Sequence, residues 1–522
     1  MKKIILLSSI FGLLFATTSC REDFLKSEPT ETLANPPAQA KLNGLYLMMI
    51  NTGTGGTTGH DDYGQKGYDL MTDLLSSDMV LSGVTYGWYR NIANLTATTD
   101  FTNNANYMPW RYYYRIAYAA NDVIAGLGGN DVVPTNASDK AAMGQAKAMR
   151  AYSYFYLVQL FTPKYDPNAD SIPLYLDAGV TAKPKAKQSE VYAQIVKDLT
   201  ESITLLEGFS RANKGVINKE VAKGLLCYTY AAMGENAKAA VLAQDIIAKY
   251  PITKREETVY SETEKKGGGF NDITTNSWMW GFDLTLANDL DLISWWGQFD
   301  IFTYSYSWVG DAKSIDLDLY GSIKAGDIRK NQFRSVTETD DGYTTADADQ
   351  DGDYTAVPIN KFFSPERVIG GQRVVTTDYL FMRSDEFHLL AAETLAKSGN
   401  EPLAKSILKK FLSNRMDDVD YIDALSGSNL QKEIYLQTRI ELWGEGKSYL
   451  AMKRNNAITK RGPNHLFYAG QNINYDDGRL TLDIPQAEIN NNPLLKQIKS
   501  PPISEGFLFP LILLLLYFKV LK

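Results

Sequence analysis

The residues best suited to chemistry by type and spacing lie between Trp295 and Gly310, "WWGQFDIFTYSYSWVG". Seven of these sixteen residues are aromatic: Trp295, Trp296, Phe299, Phe302, Tyr304, Tyr306 and Trp308. Neither helical spacing nor strand alternation holds across them, so the stretch reads as a loop rich in rings that would normally fill a core. Rings left on a loop can take the C–H face of a sugar. Covering roughly 40 Å² of such apolar area contributes about 1 kcal/mol, and several rings in an arc add. The sugar hydroxyls then need Asn, Asp, Gln or Arg neighbours, because a desolvated polar group without a partner is costly.

A second stretch, "DADQDGDY", places Asp347, Asp349, Asp351 and Asp353 at the alternate positions of a calcium loop. The twelfth position is Pro358 instead of the bidentate Glu, so it is not an EF-hand. A looser calcium site on these four aspartates stays open beside a plain acidic turn; no other cofactor is expected. His60, His388 and His465 are the only histidines and lie far apart, so no Cys/His metal cluster is expected. There is no GxSxG elbow and no HExxH, and "TGTGGTTG" lacks the Lys-Ser/Thr of a phosphate loop. Carboxylates are plentiful, so a glycoside hydrolase pair is not excluded by spacing.

The elements that would position these groups are helical. Tyr113, Ile116, Ala117, Ala120, Ile124 and Leu127 form an apolar stripe closed by Gly128 and Gly129. Ala151, Tyr154, Leu157, Val158 and Phe161 form another, ended by Pro163. Helices are predicted over 189–207, 219–233 and 236–249. From 255 to 380 the periodicity stops, and the chain turns to Gly, Asp, Thr and aromatics with short strand-like pieces such as "SWMWGF", whose Trp278 and Trp280 read as structural. Helical spacing returns with Phe387, Leu390, Ala391, Thr394 and Leu395, a turn at Gly399-Asn400, then Ala404, Ile407, Leu408, Phe411 and Leu412. Pairs of amphipathic helices on tight turns must stack to bury their stripes, as in tetratricopeptide repeats.

The chain has 522 residues, a formal charge of -8 and 32 tyrosines, which gives no basic surface for nucleic acid. "MKKIILLSSIFGLLFATTSC" has a basic start and an apolar run too short to span a bilayer, the pattern of a signal peptide over 1–20. Cys20 at its end reads as a lipid attachment point, with Thr17 where Leu is usual. Residues 21–40 read as a tether. Cys227, in a helical context, reads as a buried thiol.

Taken in order, several blocks resemble the SusD/RagB family of Bacteroidetes outer-membrane lipoproteins: Trp110 with "YRIAYAANDVIAGL", "GQAKAMRAYSYFYLVQLFT", "SEVYAQIVKDLTESITLL", "DYLFMRSDEFHLLAAETLAKSGN", "RIELWGEGKSYLAMKRNN" and "IPQAEINNNPLLKQ". The likeness implies one mainly α, SusD-like domain. Its tetratricopeptide-like scaffold would occupy 41–254 and 381–497, with a loop-rich, ligand-binding insertion over 255–380. It implies a non-enzymatic, surface-exposed, lipid-anchored protein that binds oligosaccharides or polysaccharides and passes them to a SusC-like TonB-dependent transporter; "REDF" after Cys20 resembles a surface-export signal. A receptor for peptides or another nutrient is the alternative.

The likeness directs glycan contacts to Trp295, Trp296, Tyr304, Tyr306 and Trp308, and to Trp88, Tyr89 and Asn91 with Tyr86 and Asn94 beside them. Arg150, Glu393, Glu441 and Glu445 read as packing residues. Ser448, Ala451 and Thr438 stand where the family has charged residues, which predicts a thinner charge network on the helix surface. Residues 498–522, ending "FLFPLILLLLYFKVLK", depart from the family pattern and read as a frameshifted or misassembled end, with a second membrane anchor as the alternative.

Overall fold

The computed structural model describes residues 36–179 and 181–495. Cys20 and the 498–522 tail lie outside them. The described residues are 45% helical and 11% strand, mainly α.

Two short helices, α1 (Ala38–Leu47) and α2 (Gln65–Ser76), precede a stack of longer ones. α1 begins inside the stretch read as tether, because Ala-Gln-Ala after Pro37 can start a helix. The stack runs α3 (Asn104–Gly126), α4 (Ala137–Phe161), α5 (Gln188–Leu205), α6 (Lys219–Ala232) and α7 (Asn236–Ile247), each packed on the next. After α3 and Leu127, Gly128 and Gly129 turn the chain with φ of +106° and +103°, a conformation that favours glycine.

After α7 the chain leaves the stack. This excursion contains β2 (Trp278–Phe282), the five-residue helix α8 (Trp295–Phe299), β3 (Lys313–Ile315), β4 (Arg334–Thr339), β5 (Gly342–Asp347), β6 (Tyr354–Val357) and β7 (Tyr379–Arg383). It returns at α9 (Ser384–Lys397), which packs directly on α7 and on α10 (Glu401–Leu412). The loop-rich segment is therefore a branch from a continuous helical stack. α11 (Gly427–Glu441) and α12 (Ser448–Arg454) complete the scaffold.

The residues read as packing elements do that work. Arg150 on α4 sends Nε and Nη2 to the Asp198 carboxylate on α5 at 2.8 and 2.7 Å, while Nη1 reaches Asn121 on α3 at 2.9 Å. One buried guanidinium thus ties three helices. Glu441 accepts from Arg415 at 2.9 Å and Arg383 at 2.9 Å, and Glu445 accepts from Arg383 at 2.8 Å and Lys361 at 2.9 Å. Burial alone would raise the Glu441 carboxyl, but Arg415, Arg383 and Arg329 hold it well below the usual range. Charge density here is high and internal. The expectation of a thinned surface network is corrected: Thr438, Ser448 and Ala451 are themselves buried, and a buried charge network is built instead by Arg329, Arg383 and Arg415 on Glu441. Trp278, Trp280 and Cys227 are buried, as their surroundings predicted.

Two strand pairs matter for the site. β2 and β7 pair antiparallel and seat the insertion on α9. β1 (Met79–Leu81) pairs antiparallel with β3 in the register Met79↔Ile315, Val80↔Ser314 and Leu81↔Lys313.

Candidate functional site

Because β1 and β3 run antiparallel, the chain leaving β1 after Leu81 and the chain entering β3 before Lys313 meet at one end of the ladder. Residues 82–91 and 300–312 are therefore neighbours, although more than 200 positions apart. Ser82 N–H donates to Ala312 O at 2.9 Å, and the buried Asp311 carboxylate accepts from the Tyr86 N–H at 3.1 Å and the Gly87 N–H at 2.8 Å. Asp311 thus spends its lone pairs holding the first loop against the second. Lys313 is buried below, donating to Asp311 O at 2.8 Å, and burial pushes its amine down to about 7.

The rings at this junction fall into two neighbouring groups. In the first, Tyr86 is 62% exposed and packs edge-on to Tyr306 at 5.2 Å. Trp88 is half-buried, with the His60 ring parallel to it at 5.2 Å and the Tyr306 ring at 5.9 Å. In the second, Tyr304 is 37% exposed and lies 5.4 Å from the half-buried Trp308. The Arg373 guanidinium covers Tyr304 at 5.1 Å while its Nε pairs with Asp291 at 3.0 Å. A turn-rich segment holds this second pair: Trp308 N–H donates to Ser305 Oγ at 3.0 Å, and Tyr304 N–H to Gln372 O at 3.0 Å. Gly370, with φ +59°, lies flat under Trp308, where a Cβ would come within 2.4 Å of the indole.

Four residues expected to touch ligand are placed inside instead. Trp295 and Trp296 are each 1% exposed, because Ser294 caps α8 and turns both indoles into the core. Trp295 stacks on Phe299 at 4.3 Å, with the Lys66 ammonium 4.9 Å from its ring, and Trp296 Nε1 donates to Thr377 O at 2.7 Å. Tyr89 has a left-handed φ of +64°, which reverses its direction relative to Trp88; it is 4% exposed and donates to the Tyr63 oxygen at 2.7 Å. Tyr306 is 6% exposed and serves as the support on which Tyr86, Trp88 and His60 rest. Asn91 is exposed beside Trp88, whereas the Asn94 side-chain oxygen is used by the Thr96 N–H at 3.1 Å.

Sequence reasoning missed His60 and Arg373. The glycine-rich loop carrying His60 has, in sequence, the look of a phosphate loop lacking its Lys-Ser/Thr, and nothing near Arg373 marks it apart from the Gly370-Gly371 turn.

The aspartates around the rings are mostly committed to holding loops. Asp62 accepts from the Gly55 N–H at 2.7 Å and the Thr57 N–H at 2.9 Å. Asp300 accepts from the Phe302 N–H at 3.1 Å, Thr303 Oγ at 2.8 Å and the Ser364 N–H at 2.9 Å; burial pushes its carboxyl up to about 6. Burial pushes Asp61 to about 6 as well. The four calcium candidates are not drawn together. Asp347 pairs with Arg334 at 2.6 Å and Asp353 accepts the Glu338 N–H at 2.9 Å, while Asp349 and Asp351 are exposed. Among the described residues no three His, Cys, Asp or Glu side chains form a metal-holding group.

A separate groove of about 830 Å³ lies on the outer face of α3, lined by Tyr107, Trp110, Arg111, Tyr114 and Tyr118. Its single Trp is buried and donates to Glu488 at 3.4 Å, while Tyr118 is exposed and Tyr107 and Tyr114 are half-buried.

Comparison with known proteins fits this architecture. A SusD-like family described as "Starch-binding associating with outer membrane" matches residues 39–230, and the SusD family matches residues 290–501. SusD-like protein P2 of Formosa agariphila is 26% identical over 505 residues, covering 87% of this chain and 90% of that protein. A SusD-like carbohydrate binding protein from Bacteroides vulgatus shares the fold with a TM-score of 0.70 at 23% identity, covering 90% of this chain and 98% of its own. Surface glycan-binding protein A from Bacteroides uniformis has a TM-score of 0.61 at 18% identity, covering 88% of this chain and 98% of its own. In sequence blocks, helical stack and branching insertion alike, the chain belongs to the SusD/RagB family.

Proposed function

We propose that this protein captures glycan chains on the aromatic rim at the β1–β3 junction. One observation carries the reading: strand pairing brings the loop of Tyr86 and Trp88 against the loop of Tyr304 and Trp308, each pair with ring area facing water. An open rim suits a chain-like ligand, which needs stacking faces in series more than an enclosing cavity. Asn91 and Arg373 supply polar groups at its edges. The names of the Bacteroides structures, which speak of carbohydrate and glycan binding, support the same ligand class.

Family membership and the leader read from the sequence support the rest of the role. Lipidation at Cys20 would tether the protein to the outer membrane with the rim facing outward, and a SusC-like TonB-dependent transporter would receive the glycan. The role is capture without cleavage. Asp62, Asp300 and Asp311 are occupied by backbone N–H groups or neighbouring hydroxyls, and a glycosidase needs two carboxyls facing one bond.

Affinity electrophoresis through gels holding plant, host and microbial polysaccharides tests this, with reducing-end release measured in parallel. Retardation by a glycan without sugar release is the expected result. Release of sugar would revive the hydrolase, and indifference to every polysaccharide would redirect attention to peptides.

A further inference from the structure

His60 sits in the loop "TGTGGTTGHDDYG", which the Asp62 carboxylate folds back on itself. Its position is fixed from three directions. Gln298 Nε2, buried on α8, donates to His60 O at 2.8 Å. The imidazole lies parallel to Trp88, 1° between planes. Its Nδ1 is 2.6 Å from the Tyr306 oxygen. A loop tip held at backbone, ring face and ring edge by residues 298, 88 and 306 is placed with more care than chain reversal requires.

The direction of the hydrogen bonds can be worked out. Among the described residues His60 Nδ1 is the only acceptor within hydrogen-bond reach of the Tyr306 hydroxyl, so the phenol proton goes to Nδ1. A neutral imidazole that accepts at Nδ1 carries its hydrogen on Nε2. Among the described residues Nε2 has no partner, and it is not enclosed by protein.

We infer that His60 is the specificity-determining donor of the rim: its outward Nε2–H hydrogen-bonds an acceptor oxygen of a sugar seated against Trp88 and Tyr86. Tyr306 is the positioning residue that fixes the tautomer. Rings alone accept any sugar face, whereas a donor at one fixed point selects sugars with an oxygen there. His60's role rests on the glycan-binding proposal above.

The test uses the purified protein in gels of amylopectin, laminarin, xylan and polygalacturonate, followed by ¹⁵N-histidine NMR. On the polysaccharide that retards the unmodified protein, His60→Phe keeps a ring over Trp88 but loses the donor, and should bind roughly tenfold more weakly, the size expected for one hydrogen bond. His60→Gln retains an N–H at similar reach and should stay within about threefold. The imidazole spectrum should show the Nε2–H tautomer, shift on adding oligosaccharide, and become a tautomer mixture in Tyr306→Phe. Full retardation of His60→Phe with loss in Trp88→Ala would overturn the His60 role and leave the rim standing. No retardation of the unmodified protein in any gel would overturn both. An Nδ1–H tautomer would refute the relay; should His60→Phe misfold, the Nε2 shift on ligand addition decides.

Discussion

Trp295 and Trp308 stand thirteen positions apart in one aromatic stretch, yet the structure puts them to opposite uses. The first end, Trp295, Trp296 and Phe299, is packed against Phe362 and Trp443 under α8. The second, Tyr304 and Trp308 around the buried Tyr306, reaches the surface on turns tied to Asp300 and Ser305. Each end carries three rings in five residues. Local backbone bonding decides which rings support the site and which form it.

The largest effect should come from the buried end. Trp295→Ala should destabilise by about 3–5 kcal/mol through the cavity it leaves, while Trp308→Ala should change unfolding free energy by less than about 1 kcal/mol. Denaturant unfolding of the two variants checks this, and equal losses would erase the distinction. Glu441→Ala belongs with the buried class. It strands Arg383 and Arg415 without their shared carboxylate, at roughly 3–5 kcal/mol.

Asp311→Ala tests the joint between the two loops. It leaves the Tyr86 and Gly87 N–H groups without their acceptor, which should cost about 1–3 kcal/mol and weaken glycan retardation as the rim splays. Retardation unchanged in this variant would show that the rim does not depend on the joint.

pH separates the regions with opposite signs. Asp300 titrates near 6 when folded, so the folded protein takes up protons between about pH 4 and 6. Its stabilising contribution is complete below about pH 4 and lost as pH rises through 6. Glu393 behaves oppositely. Burial would raise it, but Arg454 and Lys397 pull it down to about 2, so its contribution is present above about pH 4.3 and lost as pH falls toward 2. Asp300→Asn should therefore cost roughly 2 kcal/mol more at pH 4 than at pH 7.5, and Glu393→Gln more at pH 7.5 than at pH 3. The smallest expected effect is Asn91→Ala, within about 0.5 kcal/mol in stability, with a modest loss of retardation.

Much of the scaffold was legible in the sequence, because apolar spacing marks a helix face whatever it packs against. α5, α6 and α7 fall within two residues of the predicted ranges at each end. The helical pair around Gly399-Asn400 is present with its stripes buried. The site was legible only as two loops. That they meet depends on three residue pairs between β1 and β3, and no local pattern announces a contact across more than 200 positions. Nor could spacing show that Ser294 would cap a five-residue helix and bury Trp295 and Trp296, or that a left-handed Tyr89 would point away from Trp88. His60 was hidden for a further reason: its meaning lies wholly in partners at 88, 298 and 306.

The most direct measurement is affinity electrophoresis of Trp88→Ala/Trp308→Ala beside the unmodified protein, with thermal unfolding of both. Lost retardation with a melting temperature within about 4 °C is the predicted result. Full retardation in the double variant would contradict the surface end of the aromatic stretch as the glycan platform.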